Sequence, residues 1–166
     1  MNVLMHVATA IGVTVAITDT TEFKPKKSYW IAFAAFIIGI GMHGVLDYVP
    51  HCYPINSKVD AIVGLLVILV MIFLSKSQYK PIVASSLLGN IFPDIFDLSP
   101  QIIHKYLSVD LHVSKKIFPW HWHIYSGSIY DENSQVSTMN HCIVLLIVVC
   151  VCGFRYKDFR KIFLLN

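Results

Sequence analysis

Five long blocks of apolar residues constrain this chain more than any other feature. They run from Asn2 to Thr18, Tyr29 to Val49, Val59 to Ser75, Pro81 to Leu98 and Val136 to Phe154. Each is close to the roughly 20 residues that a helix needs to cross about 30 Å of hydrocarbon. With 55% hydrophobic and only 14% charged residues, the composition is that of a protein integral to a bilayer. The expected fold is all-α: a polytopic transmembrane helical bundle of about five membrane helices, one domain over residues 1–166, with one long outer loop before the last helix. The first block reads as a retained helix and not a signal peptide, since it lacks a basic leader, is interrupted by His6 and shows no small-residue cleavage site.

The basic residues sort onto two faces. Lys24, Lys26, Lys27, Lys76, Lys80, Arg155, Lys157, Arg160 and Lys161 follow the first, third and fifth blocks, while Lys58, Lys105, Lys115 and Lys116 lie on the other side. The positive-inside rule therefore places the N-terminus outside and the C-terminus in the cytoplasm. All eight histidines (His6, His43, His51, His104, His112, His121, His123, His141) then fall on the outer side, with most of the carboxylates. Intramembrane ionisable groups need partners, and they mark functional sites by default. The net charge of +3 comes mainly from the cytoplasmic side, so it describes topology and implies no nucleic-acid partner.

Across the end of the second block, Met42 to His51 reads MHGVLDYVPH, with His51 just outside. His43 and Asp47 are four apart and share one helix face. Imidazole and carboxylate are ordinary ligands for zinc, iron and manganese, so the pair is a workable metal half-site. It is equally readable as a hydrogen bond that neutralises two intramembrane polar groups. The fourth block ends in GNIFPDIFD, Gly89 to Asp97. Pro93 removes a donor and crowds the Gly89 carbonyl, so a kink or break is expected there. Asp94 and Asp97, three apart, can share an ion or divide acid and base roles.

The loop from Ser99 to Gln135 contains Trp120-His121-Trp122-His123. If this stretch is extended, His121 and His123 face one way and the tryptophans the other. The aromatic residues favour the headgroup level, where such a loop can cap a site or simply anchor to the surface. Cys52, Cys142, Cys150 and Cys152 form no C-x-x-C pair, and a Cys52 to Cys142 disulfide has no positive support. No phosphate loop, nucleophile elbow, H-E-x-x-H or nucleic-acid module is present.

An early histidine, then HGVLDYVPH, an aspartate opening the next helix, GNIFPDIFD and a late histidine pair together resemble small bacterial integral-membrane proteins. These are similar to the inner-membrane metal-dependent hydrolases, which have zinc-dependent phospholipase-like relatives. The resemblance spans most of the chain. It implies a bacterial inner-membrane location and a central role for His43, Asp47, Asp94 and Asp97, with His6, His121 and His123 as additional candidate ligands. The function expected on this basis is a metal-dependent hydrolase at the outer leaflet, acting on a phospholipid or lipid phosphate with zinc, manganese or iron. Asp97, with Asp94, would handle protons, and Lys58, Lys115 or Lys116 would attract an anionic headgroup. Membrane lipids are then the partners. A non-catalytic accessory subunit of a membrane complex, bound to other membrane proteins, is the alternative. Haem ligation by His6, His43 or His141 is a third reading.

Overall fold

The computed structural model describes residues 1–24, 28–53, 55–108, 116–129 and 134–164. Those residues form α1 (Val3–Ile17), α2 (Ser28–Tyr48), α3 (Ser57–Leu74), α4 (Lys80–Leu107), α5 (Gln135–Phe154) and α6 (Tyr156–Phe163), with one turn of 3-10 helix at Pro119–His121. Among the described residues there is no strand, only an isolated bridge between His51 and Ser128. The all-helical bundle read from the apolar blocks is the fold.

Four helices are long and apolar enough to cross a membrane: α2, α3, the Lys80–Pro100 part of α4, and α5. Few residues of α3 and α5 are buried. Their exposed side chains, Leu65, Leu69 and Phe73 on α3 and Leu146, Ile147 and Val149 on α5, suit contact with lipid. The first block differs from the others. At 15 residues, α1 reaches only about 22 Å, and it packs against α2, α3, α4 and α5. Enclosure by protein explains how it carries buried His6, Thr9 and Thr14. Thr14 bonds back to the Ala10 carbonyl at 2.8 Å, and Ser86 of α4 reaches the same oxygen at 2.9 Å.

The core lies at the junction of α1 with α3, α4 and α6, where Val7, Ala10, Val15, Ile68, Val83, Leu87, Ile162 and Phe163 are buried together. Without a hydrophobic drive between helices in lipid, close approach at small residues supplies the packing. Gly39 on α2 faces Gly89 and Asn90 on α4. A methyl group added at Gly39 would meet the Asn90 nitrogen and the Gly89 carbonyl carbon at 2.9 Å, and one at Gly89 would meet the Phe36 carbonyl oxygen at 2.3 Å. The two backbones are therefore almost in contact.

α4 is one continuous helix containing both Pro93 and Pro100, so the break expected at Pro93 does not occur. Proline is tolerated in such a helix when a neighbour satisfies the loosened backbone. Pro93 leaves the Gly89 carbonyl without its helical donor, and at the next carbonyl along, that of Asn90, the His43 ring on α2 donates at 2.6 Å. α1 is started from another helix: the buried Asp60 carboxylate accepts from the backbone nitrogens of Val3 at 2.6 Å and Leu4 at 3.2 Å. These are unsatisfied N–H groups at a helix N-terminus, where negative charge is favoured.

Candidate metal centre

The chain alternates direction, so the start of α1, the end of α2, the start of α3 and the later part of α4 meet at one end of the bundle. The Gly39 and Gly89 contact brings His43, one turn beyond Gly39, against α4. Asp47 follows on the same face, and Asp94 stands one turn beyond Asn90 on the opposing helix. Residues 116–129 fold back over this end. Gly127 donates to the Asp47 carbonyl at 2.7 Å, His51 donates to the Gly127 carbonyl at 2.9 Å, and Ile129 donates to the His51 carbonyl at 2.6 Å. Trp120 lies on Gly44, where a methyl group would meet the indole at 2.7 Å.

The 3-10 turn corrects the extended geometry expected of the Trp-His-Trp-His stretch. His121 donates to the Phe118 carbonyl at 3.1 Å and Trp122 to the Pro119 carbonyl at 2.9 Å. With Pro119 opening the turn, His121 and His123 no longer share a face. His121 enters the bundle end with its side chain 6% exposed, whereas His123 is exposed.

His43, Asp47, Asp94 and His121 form a group that can hold a metal ion, with one donor atom from each lying within 4.8 Å of the others. His43 Nε2 lies 3.2 Å from His121 Nε2, 3.2 Å from Asp47 Oδ2 and 3.6 Å from Asp94 Oδ1. His121 Nε2 lies 3.3 Å from both Asp47 Oδ2 and Asp94 Oδ1. A tetrahedral ion with ligands about 2.0–2.1 Å away requires ligand spacings of about 3.3–3.4 Å, so all five distances fall close to the edges of such a tetrahedron.

The outer nitrogens of both imidazoles are held. His43 Nδ1 donates to Asn90, and His121 Nδ1 donates to Asp97 Oδ2 at 2.8 Å. A ring that donates from Nδ1 presents Nε2 as the ligating atom, and such second partners orient metal-bound histidines. Asp97 also accepts from the backbone nitrogens of Ile117 at 2.9 Å and Phe118 at 3.0 Å. One carboxylate thus anchors the returning loop and aims its histidine. Burial alone would push His121 below its ordinary value, but its bonds with Asp47, Asp94 and Asp97 outweigh that and raise it to about 9. In the metal-free site a proton therefore competes for Nε2.

Of the six residues expected to hold a metal, the structure brings together His43, Asp47, Asp94 and His121; His6 packs against this group without joining it, and His123 is exposed. His6 stacks on His43 with ring centroids 3.9 Å apart. Its Nε2 faces Asp47 Oδ1 at 3.1 Å and the Met1 carbonyl at 3.2 Å. Two acceptors put the proton on that nitrogen, so the ring buttresses Asp47, whose Oδ1 also meets the Met1 amino group. The stacking leaves no room for a macrocycle between His6 and His43, which opposes haem ligation by that pair.

Asp97, expected as the base, has a fully buried side chain engaged by three donors. Asp94 is the most open of the three carboxylates, with its side chain 22% exposed. His141 sits aside, its Nδ1 bonded to the Ser137 carbonyl at 2.7 Å. The four cysteines are free thiols. Lys116 Nζ donates to the His121 carbonyl at 3.1 Å, and Lys58 is exposed. His112 and Lys115 lie outside the described residues.

Gly39, Gly89, Asn90, Gly44 and Trp120 were not singled out as site residues by sequence reasoning. The glycines carry a weak signal, as small residues in apolar blocks, whereas Asn90 acts through its backbone carbonyl and carries none. Comparison with protein families, curated proteins and solved structures found no match for the chain.

Proposed function

We propose that this protein is a membrane-embedded metal-dependent hydrolase acting on a phospholipid or lipid phosphate. The observation that carries the reading is the convergence of His43 Nε2, His121 Nε2, Asp47 Oδ2 and Asp94 Oδ1, in which both imidazole nitrogens lie 3.2–3.6 Å from each other and from the two carboxylates, a spacing and a donor set that suit zinc. A divalent ion held there would lower the pKa of water toward 7 and polarise a phosphoryl oxygen. With His43, His121 and Asp47 as its three ligands such an ion would keep a fourth position for water, and Asp94, the most open carboxylate, would stand beside it to take the proton, while Asp97 keeps His121 in place.

Two cavities beside the centre suit an amphiphile. One, of about 370 Å³, is lined by Lys116, His121, Trp122 and His123 and offers cationic and hydrogen-bonding groups to a headgroup. The other, of about 460 Å³ and nearly all apolar, runs past Gly41, Gly44, Val45, Tyr48 and Trp120 on the outer face of α2, where an acyl chain can lie. The distribution of basic residues supports a site on the non-cytoplasmic face.

The test is elemental analysis of detergent-purified protein beside a His43→Ala, Asp94→Asn variant of matched helicity, followed by phospholipid and lipid-phosphate hydrolysis assays. Near-stoichiometric metal that is lost in the variant, with hydrolysis abolished by chelation, is expected. Absence of metal from both proteins after supplementation would overturn the reading.

A further inference from the structure

The opposite end of the bundle holds a second constellation that the metal centre does not use. A cavity of about 650 Å³ opens there, lined by Lys76, Lys157, Arg160 and Lys161 together with Thr20, Tyr79 and others. It is assembled from three separate segments. Asp158 on α6 accepts from the Thr20 nitrogen at 3.0 Å and from Arg155 Nε at 2.8 Å, and Arg155 also reaches the Thr18 carbonyl at 3.1 Å. These bonds tie the end of α1 to α6. The Lys76 nitrogen donates to the Ile162 carbonyl at 2.9 Å, which ties the connection between α3 and α4 to the end of α6. With Ile162 and Phe163 buried, α6 is fixed by its apolar side and presents its cations outward.

We propose that this cavity binds a phosphate-bearing anion, either an anionic lipid headgroup or a free phosphate compound, through Lys76, Lys157, Arg160 and Lys161. The one carboxylate in the lining, Asp158, is already taken by Thr20 and Arg155. Among the described residues none of the four cations is ion-paired, and Arg160 lies over the Tyr156 ring at 5.9 Å. Positive charge flanking a membrane span needs only to be present for topology. Convergence on one cavity built from α6, the end of α1 and the α3–α4 connection is a further property, and it suits a ligand with several acceptor oxygens. The height also fits: α3 ends at Leu74, α4 begins at Lys80 and α5 ends at Phe154, so the cations lie where the spans leave the hydrocarbon, at headgroup level.

The test is thermal unfolding of the full chain in neutral detergent, titrated with dihexanoyl phosphatidylglycerol, dihexanoyl phosphatidylcholine or inorganic phosphate. The wild type is compared with Lys157→Gln/Arg160→Gln/Lys161→Gln, with Arg160→Gln alone in case the triple variant fails to fold, and with Lys24→Gln as a basic residue outside the lining. Saturable stabilisation by phosphatidylglycerol but not phosphatidylcholine, weakened about tenfold or more in the triple variant and measurably in Arg160→Gln, supports the site. If inorganic phosphate stabilises equally well, the source is a free phosphate compound; if only phosphatidylglycerol does, it is lipid. No stabilisation by any probe, or equal loss in Lys24→Gln, overturns the proposal.

Discussion

Gly89→Ala tests whether helix contact sets the geometry of the centre. The new methyl would lie 2.3 Å from the Phe36 carbonyl oxygen, against an ordinary contact of 3.4 Å or more, so α2 and α4 must part locally by about 1 Å. Overpacking of this kind costs about 1–3 kcal/mol. The same movement carries the Asn90 carbonyl away from His43 Nδ1, stretching a 2.6 Å bond to about 3.6 Å, past the limit of a hydrogen bond. Loss of such an orienting partner lowers metal affinity about 10–100-fold. Competition with a chelator of known affinity reads the dissociation constant, and thermal unfolding of the metal-free protein reads the packing cost. Gly41→Ala is the control, since nothing lies within 4 Å of its added methyl. If Gly89→Ala binds metal as the wild type does, the helix contact does not position His43 and the reasoning fails.

Asp97→Asn should lower metal affinity about 10–100-fold and loosen the loop, read by chelator competition and by proteolysis near Phe118; unchanged affinity would return Asp97 to the role of free base. Asp60→Ala should destabilise the bundle by about 0.5–2 kcal/mol through loss of the α1 cap, with metal stoichiometry retained, as checked by denaturant unfolding and elemental analysis. The raised value of His121 gives the metal-free protein a stabilisation that is complete below its ordinary value of 6.5 and is lost as pH rises through about 9. Unfolding temperatures of chelated protein should therefore fall between pH 6.5 and 9, and a flat profile would remove the proton from that site.

Hydropathy alone located three spans to within two residues at either end, because an apolar run of that length has no other stable home. It overstated the first block, whose buried His6, Thr9 and Thr14 mark a short helix enclosed by its neighbours. It also ended the fourth block early: α4 continues through Pro100 to Leu107. His43, Asp47 and Asp94 were legible because polar groups inside apolar blocks stand out at helical spacing. His121 could not be separated from His123 until the 3-10 turn was known. Asp97 looked like a chemical group because its partners, two backbone nitrogens and a ring 24 positions away, leave no trace in local pattern.

The dual attachment of Asp97 also couples the returning loop to the candidate centre. Three members of the candidate group, His43, Asp47 and Asp94, are carried by α2 and α4 and come into register where those helices pack. The fourth, His121, comes on a segment that Asp97 holds by two backbone nitrogens and by the imidazole itself, so docking that segment and completing the group go together. With that segment undocked, His43, Asp47 and Asp94 would stand open at the end of the bundle, so an ion would need no parting of the helices to reach them.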